Sequence, residues 1–427
     1  MCSLTPKHLA QLFTLLLCSA SMYFYWNHLP QNIDAIAPSV APRAHPLTDL
    51  YAQWYGAREL LLHHRDPYGD DITRELQAAY YGKDLEPSQA DDPSHQQRFA
   101  YPLYVVLLLA PTVGMQFHTV QIVFLWLLAA VTALSIPLWA RATSLNLSPR
   151  GLAIALIVTF TSMPVMQGLG ILQLGLLVAA LLASAAAATI SGHLFLAGAL
   201  LAIATIKPQM SILVIAWFAL WISGDWRTRR SLFFGFAIAI STLVVASELL
   251  LHGWVIRFFT ALLAYDKHMR TPSLLGVYLR LPEWLIAAAG LLILAIYAWR
   301  GRREHANSVS FGFYLALALA LTLLVIPTVV QPFNHILLLP AVLLCVLYWK
   351  DLRQCNRLFR IMCSITCLVG LLPWLFAAAV TIGLLFGPLR WLLRMWFFPL
   401  NASLATPFAA FCILVLLRRV VPLQSTS

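Results

Sequence analysis

From residue 119 to residue 417 the chain is a succession of apolar runs parted by short loops that carry arginine and lysine. About 20 apolar residues cross the ~30 Å hydrocarbon layer as a helix. Within lipid only a helix or a closed barrel satisfies its own backbone hydrogen bonds. Runs at 9–26, 119–140, 151–165, 173–190, 194–206, 210–223, 232–251, 284–299, 311–328, 336–349, 361–385 and 397–417 therefore predict an all-α integral membrane protein, a multispan helical bundle of about 12 spans. Charged residues are 11% of the 427 positions, against about 25% in soluble domains, so a soluble globule is excluded. The net charge of +11 sits in small clusters between the runs, where positive-inside topology puts it. Nucleic acid is not an expected partner; the lipid bilayer is.

The carboxylates are distributed differently. Asp34, Asp49, Glu59, Asp66, Asp70, Asp71, Glu75, Asp84, Glu86, Asp91 and Asp92, eleven of the seventeen acidic residues, lie between Asn27 and Arg98. Within this stretch, 74–81 mixes apolar and aromatic residues with charges, as a helix lying on a membrane surface does. The segment 101–111 is apolar but bounded by Pro102 and Pro111, too brief to cross as a helix. Were it to cross, the 227–230 and 300–303 basic clusters would face outward, against the basic-loop rule. Taken as re-entrant, it leaves Lys7, Arg141, Arg150, both clusters, Lys350, Arg353, Arg357, Arg360, Arg418 and Arg419 inside. The acidic loop, Gln173, Lys207-Pro208, the 252–283 loop and Asn334-His335 then face outward together. The expected organisation is one membrane domain, 1–427, with a long first extracytoplasmic loop at 27–118 carrying surface helices and the re-entrant segment, and a bundle at 119–427. None of the seven cysteines falls within 27–98, so no disulfide framework is expected in that stretch. The N-terminal run lacks a small-residue cleavage signature and is expected to be a retained first span, as in a bacterial-type inner-membrane protein.

Asp49 stands just beyond that first span, ahead of a helical pattern beginning at Leu50. It suits a helix N-cap and equally a general base taking a proton from an attacking hydroxyl. Arg65-Asp66-Pro67-Tyr68 and Arg98-Phe99-Ala100-Tyr101-Pro102 combine turn prolines with residue types that suit a sugar face and a phosphate; anchoring at the lipid interface is the alternative. Asp70-Asp71 and Asp91-Asp92 resemble metal-binding pairs, but adjacent acidic residues are usually solvated, and no metal site is expected. Lys207 lies between two short apolar runs with Pro208 breaking the helix after it. A lysine there is costly and therefore a functional candidate, able to meet a phosphate, unless it snorkels to the interface. Asn334 and His335 open a span at its outward end, where a histidine is a structural residue or a site residue.

The order of these features resembles glycosyltransferase family 87, a branch of the GT-C superfamily. The counterparts of the family pattern are Asp49 with Tyr55, Asp66-Pro67-Tyr68, Phe99-Ala100-Tyr101-Pro102-Leu103, Gly170-Ile171-Leu172-Gln173, Ala197-Gly198 with Lys207-Pro208, Thr271-Pro272-Ser273-Leu274, and Gln331-Pro332-Phe333-Asn334-His335. Asp66 stands where the family has glycine, Leu103 where it has a second proline, and Thr271-Pro272 where it has an Asn-Gln pair. The resemblance implies a GT-C-like bundle that moves a hexose, typically mannose, from a polyprenyl-phosphate-linked donor to a lipid-linked or cell-envelope glycan acceptor outside the membrane. It implies inversion with Asp49 as base, Lys207 and Arg98 on the donor phosphate, and Tyr55, Asp66, Tyr68, Tyr101, Gln173, Ser273, Asn334 and His335 at the substrate site. No cofactor beyond the donor is implied. The rivals are a polytopic lipid or sugar transporter, for which two related halves are common, and another GT-C enzyme such as a glycan ligase.

Overall fold

The computed structural model describes residues 15–25, 47–83, 85, 97–269, 272–327, 331–386 and 398–418. Asp84, Glu86, Asp91, Asp92 and Thr271 lie outside the described residues. Among those described, every regular element is a helix: α1 (Leu15–Tyr25), α2 (Leu50–His63), α3 (Asp70–Tyr81), α4 (Val105–Leu109), α5 (Phe117–Ala142), α6 (Pro149–Phe160), α7 (Met163–Gly170), α8 (Gly175–Ile190), α9 (Leu194–Ala204), α10 (Pro208–Gly224), α11 (Trp226–Leu250), α12 (Trp254–Met269), α13 (Leu274–Leu279), α14 (Glu283–Gly301), α15 (Val309–Val325), α16 (Leu339–Leu347), α17 (Trp349–Gln354), α18 (Arg357–Phe386), α19 (Phe398–Ser403) and α20 (Thr406–Leu417).

Five helical stretches are long and apolar enough to cross a membrane, namely Phe117–Ala142, Trp226–Leu250, Glu283–Gly301, Arg357–Gly383 and Phe398–Leu417. A sixth is added if α6 and α7, bent by 59° at their junction, form one span. Shorter apolar helices occupy the other expected runs. The 151–165 run breaks because Ser162 is extended and Pro164 follows in the first turn of α7, a position proline tolerates.

α15 is buried on all faces from Ser310 to Val325, as an all-round apolar helix at the centre of a bundle must be. α9 and α11 run in close contact. A β-carbon on Gly198 would lie 2.0 Å from the Leu232 carbonyl oxygen, and one on Gly235 would lie 2.0 Å from that of Phe195. Only glycine permits such backbone approach.

Ahead of the bundle, α2 packs on α4, and the Trp54 indole donates to the Thr112 carbonyl (3.1 Å). Phe117, at the start of α5, meets the rings of Tyr51 and Trp54. The 101–111 segment forms only α4 and a single 3₁₀ turn, Ala110–Thr112. Leu103, Val105, Val106 and Leu109 are fully buried, so one face packs into protein, while Leu107 is exposed. α3 presents Ile72, Leu76 and Tyr80 inward. Arg65 ties α2 to α3 through Glu59, Asp71 and Glu75, which accounts for Asp71 of the Asp70-Asp71 pair.

The stretch expected to be a polar loop at 252–283 instead carries α12. Trp254, Phe258 and Ala261 are buried at i, i+4 and i+7, one helix face. Trp254 packs on Tyr104 and Phe258 on Tyr68. Interleaved charges hid this amphipathic helix from a reading by hydropathy.

Candidate active site

The site forms where three chain breaks meet. At the first, Asp49 precedes α2 with helical backbone angles, and its side chain makes no cap hydrogen bond, so the capping alternative does not hold. Its amide donates to the Ile171 carbonyl (3.0 Å), bringing residue 49 against the second break.

That second break ends α7. Leu172 is left-handed (φ 52°), its amide donates to Leu169 O (3.2 Å), and the Gln173 amide donates to Gly168 O (2.7 Å). This double closure is a Schellman ending, usually built on glycine; a leucine held there costs of order 1 kcal/mol. The turn delivers Gln173 to Asp49.

The third break lies between α9 and α10. Pro208 confines the preceding residue to extended backbone, and Lys207 adopts φ −128°, ψ 78°. Tyr104 clamps the turn by contacting Thr205 through its carbonyl and hydroxyl (2.9 and 2.8 Å). Asn334 and His335 approach on a 3₁₀ helix, Pro332–Leu338, that leads into α16.

A continuous string of hydrogen bonds joins these breaks. Gln173 Nε2 donates to Asp49 Oδ2 (2.9 Å). Lys207 Nζ donates to Gln173 Oε1 (3.1 Å) and to Asn334 Oδ1 (3.2 Å). The Tyr101 hydroxyl also donates to Gln173 Oε1 (3.1 Å). The Gln173 amide thus turns its donor end to the carboxylate and its acceptor end to the cation and the phenol. Lys207 is 5% exposed and lies over the Phe333 ring at 4.7 Å. Among the described residues, two of its three N–H donors are engaged, and one is left for a ligand oxygen.

Aromatic residues surround the carboxylate. Burial first, and Asp49's charge as a further cause, push the phenols of Tyr80, Tyr81, Tyr101 and Tyr265 upward, so all four stay protonated donors. Tyr101 is held in turn by Tyr68, whose hydroxyl donates to the Tyr101 carbonyl (2.7 Å). Asp66 accepts from the Tyr68 amide (2.9 Å) and pairs with Arg257 of α12.

The expected residues therefore divide. Asp49, Tyr101, Gln173, Lys207 and Asn334 are joined by direct bonds, and Tyr68 and Asp66 support them from behind. Tyr55 donates to Glu75 (2.5 Å) and belongs to the Arg65 cluster. Arg98 is half-buried near Asp70, which acts against the downward pull of burial on its guanidinium; its Nε has no partner among the described residues. Ser273 caps α13 by accepting from Gly276 N (3.0 Å), and its own amide donates to Glu283 (3.1 Å). His335 is buried and lines a cavity of about 590 Å³ whose other walls are mainly apolar residues of α6, α7, α16, α18 and α20, with the hydroxyls of Thr159, Ser162, Thr366, Ser403 and Thr406 among them.

Sequence reading missed Tyr80, Tyr81 and Gly175. A β-carbon on Gly175 would sit 3.2 Å from Asn334 Oδ1 and 3.3 Å from Lys207 Nζ, so this glycine makes room for their contact. Its place two residues after Gln173, at the start of an apolar run, was the available signal.

These features define a polytopic helical membrane protein with a carboxylate, an amide and an ammonium group strung together where its first loop meets the bundle. The model of glycosyltransferase family 87 matches residues 99–327, just over half of the chain, and the chain belongs to that family. It is a membrane glycosyltransferase. Gln173, Lys207 and Ser273 fall inside the matched range, and Asp49, Asn334 and His335 outside it. Comparison with curated proteins and with solved structures returns no match.

Proposed function

We propose that the protein transfers a hexose, most simply mannose, from a polyprenyl-phosphate-linked donor to a lipid-linked or cell-envelope glycan acceptor, with inversion. The acceptor oxygen attacks the anomeric carbon as the bond from that carbon to the phosphate oxygen breaks. Polyprenyl phosphate leaves with the bonding electrons, and the acceptor's proton passes to Asp49. Lys207 compensates the phosphate charge, which electrostatic stabilisation of the leaving group requires; Arg98 is a further candidate. The phenols around Asp49 provide hydrogen bonds and aromatic faces for the sugar. Since the donor carries its own leaving group and the compensating cation is a side chain, the scheme calls for no metal ion or other cofactor.

The observation that carries this reading is the Asp49–Gln173–Lys207–Asn334 string ending beside the apolar cavity at His335. A base and a cation one amide apart suit attack and departure at a single carbon, and a largely apolar cavity lined by His335, the residue after Asn334, suits a lipid-borne phosphate. The positive-inside pattern supports twelve crossings, with this site on the outer face of a bacterial-type inner membrane. Purified protein with synthetic polyprenyl-phosphate mannose and a membrane glycolipid extract tests the reading. Asp49→Asn should lower transfer by about 10²–10⁴-fold while the protein elutes and melts as wild type. Lipid or sugar movement across vesicles that survives this substitution, with no transfer by wild type, would establish a carrier instead.

A further inference from the structure

The broken pair α6–α7 is a wall with a cavity on each side. Val158, Thr159, Ser162, Met163 and Pro164 face the 590 Å³ cavity that His335 lines. Phe160, Met166, Leu169 and Gly170 face a second groove of about 510 Å³ between α1, α5 and α7. The residues of the hydrogen-bonded string line neither cavity, but each end of the string has a chain neighbour that does. At its cation end Asn334 is followed by His335, which lines the first cavity. At its base end Asp49 is preceded by Thr48, which lines the second.

The second groove has two chemistries along its length. Thr48, His118, Gln121 and Tyr23 give it polar groups, and Ile122 and Leu125 continue it as hydrocarbon. His118, Gln121, Ile122 and Leu125 lie at i, i+3, i+4 and i+7 of α5, one helix face. The Thr48 hydroxyl is buried with no hydrogen-bond partner among the described residues, although buried polar groups are normally paired. Such a groove matches an amphiphile with a hydroxyl-bearing head and a hydrocarbon anchor.

We infer that this groove seats the acceptor, a lipid-anchored polyhydroxyl head group, and that α6–α7 keeps its chain apart from that of the donor. The inference rests on the proposed transferase reading, because two lipid-borne reactants meeting at one carbon need separate lateral entries. His118 and Gln121 hold head-group hydroxyls, Ile122 and Leu125 line the path of the anchor, and the base stands at the head-group end.

The test uses the full-length protein, labelled polyprenyl-phosphate mannose and a glycolipid extract from cells lacking this gene, where unmodified acceptor collects. His118→Ala combined with Gln121→Ala should raise the half-saturating amount of extract about tenfold, as loss of one or two hydrogen bonds does, with half-saturation by donor within twofold. Leu125→Trp, on an exposed position of α5, should block transfer to lipid while leaving slow release of mannose to water. Ile122→Trp is an equivalent variant should the first fold poorly. A shift in donor rather than acceptor half-saturation would overturn the assignment, as would unchanged values for both, the result expected of a groove filled by bulk phospholipid. Wild-type protein that transfers no sugar in this assay removes the polyprenyl-phosphate-mannose reading and this proposal with it.

Discussion

Lys207 and Arg229 are both buried cations, 5% and 6% exposed, at two different helix junctions, and they are held in opposite ways. Arg229 stacks 3.8 Å from the Trp221 ring centroid. It donates to the carbonyls of Trp221 (2.6 Å), Arg302 (2.6 Å) and Glu304 (2.9 Å). Its partners are backbone on both sides of a junction, so it fastens the α10–α11 turn to the segment after α14. Lys207 is held by two side-chain amides and a ring, with a donor left over. A cation enclosed by backbone is a fastener, whereas one held by amides that also reach a carboxylate can exchange a protein contact for a ligand.

The largest effect that separates the two is on Lys207. Lys207→Met should lower kcat/KM about a hundredfold (~2.7 kcal/mol), chiefly through donor KM. Thermal stability should fall by only about 1–2 kcal/mol, since Gln173 Oε1 keeps the Tyr101 hydroxyl and the main loss is the buried donor to Asn334 Oδ1. An unchanged donor KM would remove the assigned role. Arg229→Met should do the reverse, costing about 3 kcal/mol by leaving buried carbonyls unpaired, measured as lost thermal stability, with kcat/KM of the folded fraction as wild type. A KM change there would erase the distinction. Tyr101→Phe removes one of the two donors to Gln173 Oε1 and should lower kcat about five- to tenfold with little change in melting temperature.

The smallest effect belongs to the Arg65 cluster. Its hydrogen bonds to Arg65 hold Glu75 and Asp71 below their ordinary carboxylate values. Depressed values in the folded state contribute stability above the unfolded values of 4.5 and 3.8. That contribution is lost as pH falls below them. Both carboxylates are largely exposed, so the loss should stay under about 1 kcal/mol. Melting from pH 6 to pH 3 should show a shallow step that Arg65→Gln flattens, with transfer activity at pH 7 unaffected.

The apolar runs made most of the bundle legible because lipid leaves the backbone so few choices. The expected run 194–206 appears as Leu194–Ala204, and 210–223 as Pro208–Gly224. α11 begins earlier than its run because Asp225 accepts from Thr228 N and the basic residues continue the helix. Asp49 and Lys207 were legible because lone charges beside apolar runs are conspicuous. Gln173 and Asn334 needed the family pattern. The aromatic residues were not separable in advance: Tyr55, Tyr68, Tyr80 and Tyr101 have the same chemistry and all sit in the first loop, so hydropathy cannot tell that Tyr101 is the one bonded to Gln173. Ser273 also came from the family pattern, and its hydroxyl is engaged in capping α13.

The glycines at 198 and 235 have a consequence for the chemistry. With no carbon between the two backbones, α11 acts as a fixed rail, and α9 carries Lys207 three residues past its end. A methyl group at either position would push α9 off that rail and take the ammonium with it. A substitution on this crossing, remote from every reacting atom, would therefore present in kinetics as a poor grip on the phosphate.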